Sequence, residues 1–144
     1  MSRKVFPVVA ACAVVFGTLA GLAAARGTTT VKMTARLAAA KTPQASGRFT
    51  GTLARSSNGR SKLTWVLSYQ HLSSGVLRAE LVAPSTSSPV LVRLCKPCKP
   101  SSRGVVNPIL VRSTKVLLTR KAYVVIYTKK NPKGEIQGWI VRSR

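Results

Sequence analysis

The sequence predicts an all-β domain, an antiparallel β-sandwich of about eight strands, behind a separate N-terminal segment. Three observations predict it. Apolar and polar residues alternate in short runs that begin about 10–15 residues apart. Turn residues separate those runs. Finally, no long stretch carries the 3.6-residue apolar period of an amphipathic helix. The 144 residues suffice for one domain with a buried core.

The chain opens on Met1-Ser2-Arg3-Lys4, followed by an apolar run from Val5 to Ala25. A basic start, an apolar stretch and small residues at Ala23 and Ala25 fit a secretory signal peptide over residues 1–25. The run is also long enough to span a membrane, and Gly17 to Gly21 is a GxxxG match, so an uncleaved anchor is the alternative. Pro7, Gly17, Gly21 and the many alanines keep its hydropathy moderate. Val9-Ala10-Ala11-Cys12 is a weaker match to a lipoprotein cleavage box, because the apolar stretch before Cys12 is short and another follows.

The domain is expected over residues 29–144. Val31, Met33, Ala35 and Leu37 alternate with polar residues and form the first strand; Ala38 to Ser46, with Pro43, is a linker. Phe49, Gly51 and Leu53 mark the second strand. Ser56-Ser57-Asn58-Gly59 then makes a hairpin turn, in which Asn-Gly supplies positive φ angles. Leu63, Trp65, Leu67 and Tyr69 face one way on the third strand, and Trp65 is read as core. His71 falls at its end as a surface or turn residue. Ser73-Ser74-Gly75 is a turn, Val76 to Ala83 a strand, Pro84 to Pro89 a loop, and Val90, Val92 and Leu94 the next apolar face. Cys95 to Gly104 reads as a basic loop rich in Pro and Ser. Val105 to Val111 resumes strand character, with Pro108 suiting an edge or a bulge. Thr114 to Arg120 is read as a helical turn, Ala122 to Thr128 as an apolar strand, Lys129 to Gly134 as a turn and Glu135 to Arg142 as the last strand.

Charge narrows the function. There are 24 Lys and Arg against two acidic residues, Glu80 and Glu135, a formal net charge of +22. Removing the leader leaves 22 basic and 2 acidic residues, +20 over 119 residues. A hydrolase with paired carboxylates would need those two glutamates to meet. A hard-cation site has too few carboxylates. A Ser-His-Asp triad lacks its Asp and has only His71 to draw on. The cationic strand positions Lys32, Arg36, Arg48 and Lys62, with Lys96, Lys99, Arg103, Lys129, Lys130 and Lys133 read as loop positions, are expected to face water and attract polyanions. Glu80 is read as a cross-strand partner of an Arg or Lys. Glu135 is read as structural, accepting turn N–H bonds or pairing with Lys133.

Two cysteines remain after the leader, Cys95 and Cys98, spaced C-x-x-C. An even count in an exported chain favours a disulfide that pins the loop. A redox motif is the alternative, since Lys96, Lys99 and Arg103 would lower a thiol pKa, but no βαβ setting surrounds it. Half a zinc site is the third reading, and no second ligand pair completes it.

The closing third carries a family pattern. Ala122-Tyr-Val-Val-Ile-Tyr-Thr128 followed by Asn131-Pro-Lys-Gly-Glu-Ile-Gln-Gly138 closely resembles the closing hairpin of CHRD domains, modules named after chordin and found singly in many bacterial secreted proteins. Ser46 to Leu53 and Leu63 to Tyr69 resemble the second and third strands of that family. Val31 to Leu37 before Pro43 resembles its first strand and linker. Leu94 to Cys98 followed by Gly104 is similar to a cysteine-bearing subgroup. The resemblance implies a sandwich of immunoglobulin-like or superoxide-dismutase-like type, an extracellular setting, and structural roles for Tyr123, Thr128, Asn131, Pro132, Gly134, Glu135 and Gly138. CHRD domains usually carry a His-x-His pair on the fourth strand, similar to a metal-binding pair of copper–zinc superoxide dismutases. A further His usually precedes the hairpin Thr. Here the fourth strand reads Ala79-Glu80-Leu81-Val82 and Tyr127 precedes Thr128, which implies that any metal site there is lost.

The expectation is therefore an exported, non-catalytic domain without a cofactor. Its partners would be anionic cell-wall or extracellular polymers, or lipid headgroups. A nucleic-acid binder is the alternative that the charge raises; export and the lack of a basic recognition helix or stacking aromatics argue against it. A degenerate metal or redox domain is the third reading. Membrane association is expected only with an uncleaved leader.

Overall fold

A computed structural model describes residues 27–39, 43–85, 89–119 and 121–143. The leader over residues 1–25 lies outside the described residues, as does part of the linker before the second strand. The described chain forms strands β1 (Thr29–Ala38), β2 (Ser46–Arg55), β3 (Ser61–Gln70), β4 (Val76–Val82), β5 (Val90–Cys95) and β6 (Ser101–Ile109). Helix α1 (Val111–Leu118), then β7 (Tyr123–Thr128), β8 (Ile136–Trp139) and β9 (Val141–Ser143), complete it.

All nine strands belong to one antiparallel sheet ordered β5-β4-β7-β8-β1-β2-β3-β6, with β9 also paired to β1. The sheet folds over so that its two wings share a core. Period-2 alternation dictates which side chains enter it. Met33, Ala35 and Leu37 of β1 point inward, while Lys32, Thr34 and Arg36 are exposed. Phe49, Leu53, Leu63 and Leu67 meet Leu81, Val124, Ile126 and Ile136 from the opposite wing. Trp65 is 4% exposed, as expected of a core residue. Each such side chain contributes about 1.5–3 kcal/mol on burial.

Strand β1 is the pivot. One edge pairs with β2 over its whole length, from Thr29 with Arg55 to Ala38 with Ser46. The other edge pairs with β8 at Ala38 and Gln137, and with β9 at Thr34 and Val141. Gly138 makes this double pairing possible: a Cβ there would run into the Arg36 carbonyl.

The all-β class is as expected, and four details differ. The last strand is split into β8 and β9, because the chain bends at Ile140, whose N–H bonds to the Ala122 carbonyl. Strand β6 starts at Ser101, inside the segment read as loop, so Arg103 is a strand residue opposite Val66. Helix α1 starts at Val111 with no side-chain cap, ahead of the expected Thr114, and Ser113 Oγ ties it to the Leu91 carbonyl at 2.9 Å. At the β2–β3 turn only Gly59 takes a positive φ, of 79°. Asn58 instead accepts the Arg60 N–H on its side chain at 3.1 Å. Pro108 lies near the end of β6, an outer strand of the sheet, where the pairing with β3 shifts register. That position needs no ladder N–H.

Candidate functional site

Four groups of residues carry chemistry. The first lies on the outer face of β4 and β7. Alternation puts Arg78 and Glu80 on one face of β4, and the register sets Arg78 opposite Tyr127. No histidine occupies this part of β4, which reads Ala79-Glu80-Leu81-Val82, and Tyr127 precedes Thr128 on β7. The Glu80 carboxylate is 2% exposed and meets Arg78 at 3.4 Å and Arg93 of β5 at 3.1 Å. The Arg78 guanidinium stands 4.1 Å from the centroid of the Tyr127 ring, a cation–π contact. Burial holds the Tyr127 phenol above its ordinary value; the Glu80 charge adds to this and Arg78 opposes it. Both arginines meet the same carboxylate oxygen, Oε1, so a cation approaching that oxygen would have to displace them. Among the described residues no three His, Cys, Asp or Glu side chains come together.

The second group closes the β7–β8 hairpin. Gly134 turns the chain at φ 114°, a conformation that L side chains avoid. Glu135, 8% exposed, is aimed across the molecule. Its carboxylate accepts the Ser73 N–H at 2.6 Å, the Ser73 hydroxyl at 2.8 Å and the Thr128 hydroxyl at 2.5 Å. Asn131 donates its side-chain amide to Ser73 Oγ at 3.1 Å and its N–H to Thr128 Oγ1 at 3.2 Å. Pro132 lies exposed in the turn. Burial alone would raise the Glu135 pKa; the hydrogen bonds from Thr128 and Ser73 outweigh it and hold the group below 4.5. Its partners belong to the β3–β4 loop and to β7, so it joins two loops. Tyr123, at the other end of β7, rests edge-on against Trp139, ring centroids 5.4 Å apart.

The third group is the cysteine loop. Cys95 and Cys98 form a disulfide, with Cα atoms 5.2 Å apart. Tyr69 donates its hydroxyl to the Cys98 carbonyl at 2.8 Å, and the Lys99 N–H bonds to Ser102 Oγ at 3.0 Å. The loop is thereby fastened to β3 and to the start of β6. Lys96 and Lys99 are exposed on it.

The remaining cations are dispersed. Lys129, Lys130 and Lys133 are exposed around the closing turn; Lys32, Arg36, Arg48, Lys62 and Arg103 are exposed on the outer face of β1, β2, β3 and β6. Both glutamates of the chain are committed elsewhere, so none of these cations faces a side-chain carboxylate. His71 is exposed, with φ 55°.

Sequence reasoning assigned Glu80 a basic partner but named neither arginine, and Ser73 was read only as a turn residue. Arg78-x-Glu80 on an alternating strand was the available signal for the first. Nothing local signals the second, since Ser73 and Glu135 are 62 residues apart.

A model of the CHRD domain family matches residues 25–140, and the chain belongs to that family. Comparison with curated proteins and with solved structures gave no match. The match covers the β-domain from before β1 to the end of β8, including the Arg78–Glu80–Tyr127 cluster and the Glu135 hairpin.

Proposed function

We propose that this CHRD domain is an exported, non-catalytic module that associates with anionic polymers of the cell envelope or extracellular space through its basic surface. The observation that carries this reading is the imbalance of charge at the surface. The chain has 24 basic and 2 acidic residues, and the two acids are occupied by Arg78, Arg93, Ser73 and Thr128. A surface whose remaining cations have no side-chain counterion attracts polyanions, and the attraction weakens as salt screens it. The disulfide and the leader-like start support an oxidising, exported setting. The arginine clasp on Glu80 supports a non-catalytic role: the strand on which the family usually carries histidines here holds a carboxylate paired with two arginines.

The test is retention of the protein on negatively charged cell-wall material over a salt series. Binding at low salt that falls steeply as salt rises is expected. Absent or salt-independent retention would overturn the proposal. Metal analysis and a thiol count on the same sample address the degenerate metal or redox reading; bound metal or free thiols would favour it.

A further inference from the structure

The register of β1, β2 and β8 builds a composite surface that the dispersed loop lysines do not. Arg36 and Arg48 are directly opposite across β1 and β2, and both are exposed. Like charges in directly opposed sheet positions destabilise the pairing. No side-chain carboxylate is left to separate them. On the far side of β1, Ala38 pairs with Gln137 and Thr34 with Val141, so the same register sets Trp139 opposite Arg36. Trp139 is 61% exposed. One row across the outer face therefore reads Trp139, Arg36, Arg48, Ser68. In the neighbouring rows Thr34 opposes Thr50, and Thr52 opposes Thr64. These four threonines line a shallow depression of about 270 Å³ with Lys32 at its side.

We infer that this face is a binding site for an acidic polysaccharide. The inference rests on the polyanion reading above and supplies its site and ligand class. A sugar ring has an apolar face that packs on an exposed indole. Its carboxylate or sulfate accepts paired N–H bonds from a guanidinium, a geometry lysine cannot offer. Its hydroxyls find donors and acceptors along the threonine rows. A bound oxyanion between Arg36 and Arg48 removes the repulsion that the free protein carries. The face suits a glycan better than nucleic acid, because single-strand binding relies on several aromatic platforms in succession. Here Trp139 alone is widely exposed among the described aromatic residues.

The test compares three probes of equal charge: polygalacturonate, polyphosphate and single-stranded oligothymidine. Arg36→Gln with Arg48→Gln should weaken polygalacturonate binding about tenfold or more. The triple loop variant Lys129→Gln, Lys130→Gln, Lys133→Gln, which removes more charge, should cost only a few-fold. Trp139→Ala should weaken polygalacturonate about tenfold, the scale of one stacked ring, and leave polyphosphate within about twofold. Arg48→Glu, which turns the repulsive pair into an attractive one, should abolish polygalacturonate binding while raising the Tm by about 2–4 °C; this shows the loss is not unfolding. A loop triple that costs as much as the arginine pair, or a Trp139→Ala variant without effect, would overturn the face while leaving the polyanion reading in place. Tighter, Trp139-dependent binding of oligothymidine would overturn the ligand class. No binding of the parent protein to any probe would overturn the underlying reading itself. A lowered Tm in Arg48→Glu would overturn the opposed-arginine argument.

Discussion

Replacing Glu135 by glutamine isolates one of the two carboxylates that the fold uses internally. The carboxylate accepts three hydrogen bonds, from the Ser73 N–H, the Ser73 hydroxyl and the Thr128 hydroxyl. Hydrogen bonds to charged groups contribute about 1.5–3 kcal/mol each, and part of that offsets desolvation of a buried carboxylate. Glutamine retains the size and one acceptor oxygen, while its NH₂ group faces donors. A net loss of about 2–3 kcal/mol follows, or about 10 °C in Tm for a domain of this length. The pH dependence has a fixed sign. The folded Glu135 pKa lies below the ordinary 4.5, so its contribution is complete above that value and is lost as pH falls through the folded pKa. Thermal melting from pH 7 down to pH 3 should show the parent losing stability on the acid side and Glu135→Gln losing less. Equal melting temperatures at pH 7, together with equal acid slopes, would refute the assignment of Glu135 as the tie between the two loops.

Three further predictions concern the other clusters. Glu80→Gln should destabilise by about 2 kcal/mol, because it leaves two guanidiniums facing a neutral group. Arg93→Ala should cost less than about 1 kcal/mol in chemical denaturation, because Arg93 is largely exposed and Arg78 remains on Glu80. Reducing the Cys95–Cys98 disulfide should cost about 2 kcal/mol, the loop-closure scale for so short a loop. Polyanion retention should stay unchanged, as the paired arginines are on other strands; denaturant unfolding of the reduced protein, with reduction verified by thiol titration, checks the first outcome and a salt-elution profile the second.

The legibility of the fold follows from where its information is stored. Strands β1, β2 and β3 are readable because Met33, Ala35 and Leu37, then Phe49 and Leu53, then Leu63, Trp65 and Leu67 are buried and alternate with exposed or half-buried residues. The start of β6 was hidden because Ser102 and Gly104 occupy its non-exposed positions. Gly104 is small for a reason that sequence does not display: a Cβ there would meet the Trp65 ring at 2.8 Å. Helix α1 was misplaced because Leu110 precedes it without a side-chain cap, the usual local mark of a helix start.

The candidate site divides in the same way. Exposure of Lys32, Arg36, Arg48 and Lys62 follows from alternation alone, and they are exposed as expected. That Arg36 opposes Arg48, and that Trp139 joins their row, depends on register between strands distant in sequence. The clasp on Glu80 likewise required β4 to sit between β5 and β7. Composition therefore revealed the sign of the surface, while pairing arranged it.

The central claim is that the unbalanced positive surface binds anionic polymer, and one titration addresses it most directly. The protein is titrated with dextran sulfate and with uncharged dextran at low and at physiological salt. The account predicts tight binding to dextran sulfate at low salt, weakened about tenfold or more at physiological salt, and no measurable binding to dextran. Equal binding to both polymers, or affinity for dextran sulfate that ignores salt, would contradict it.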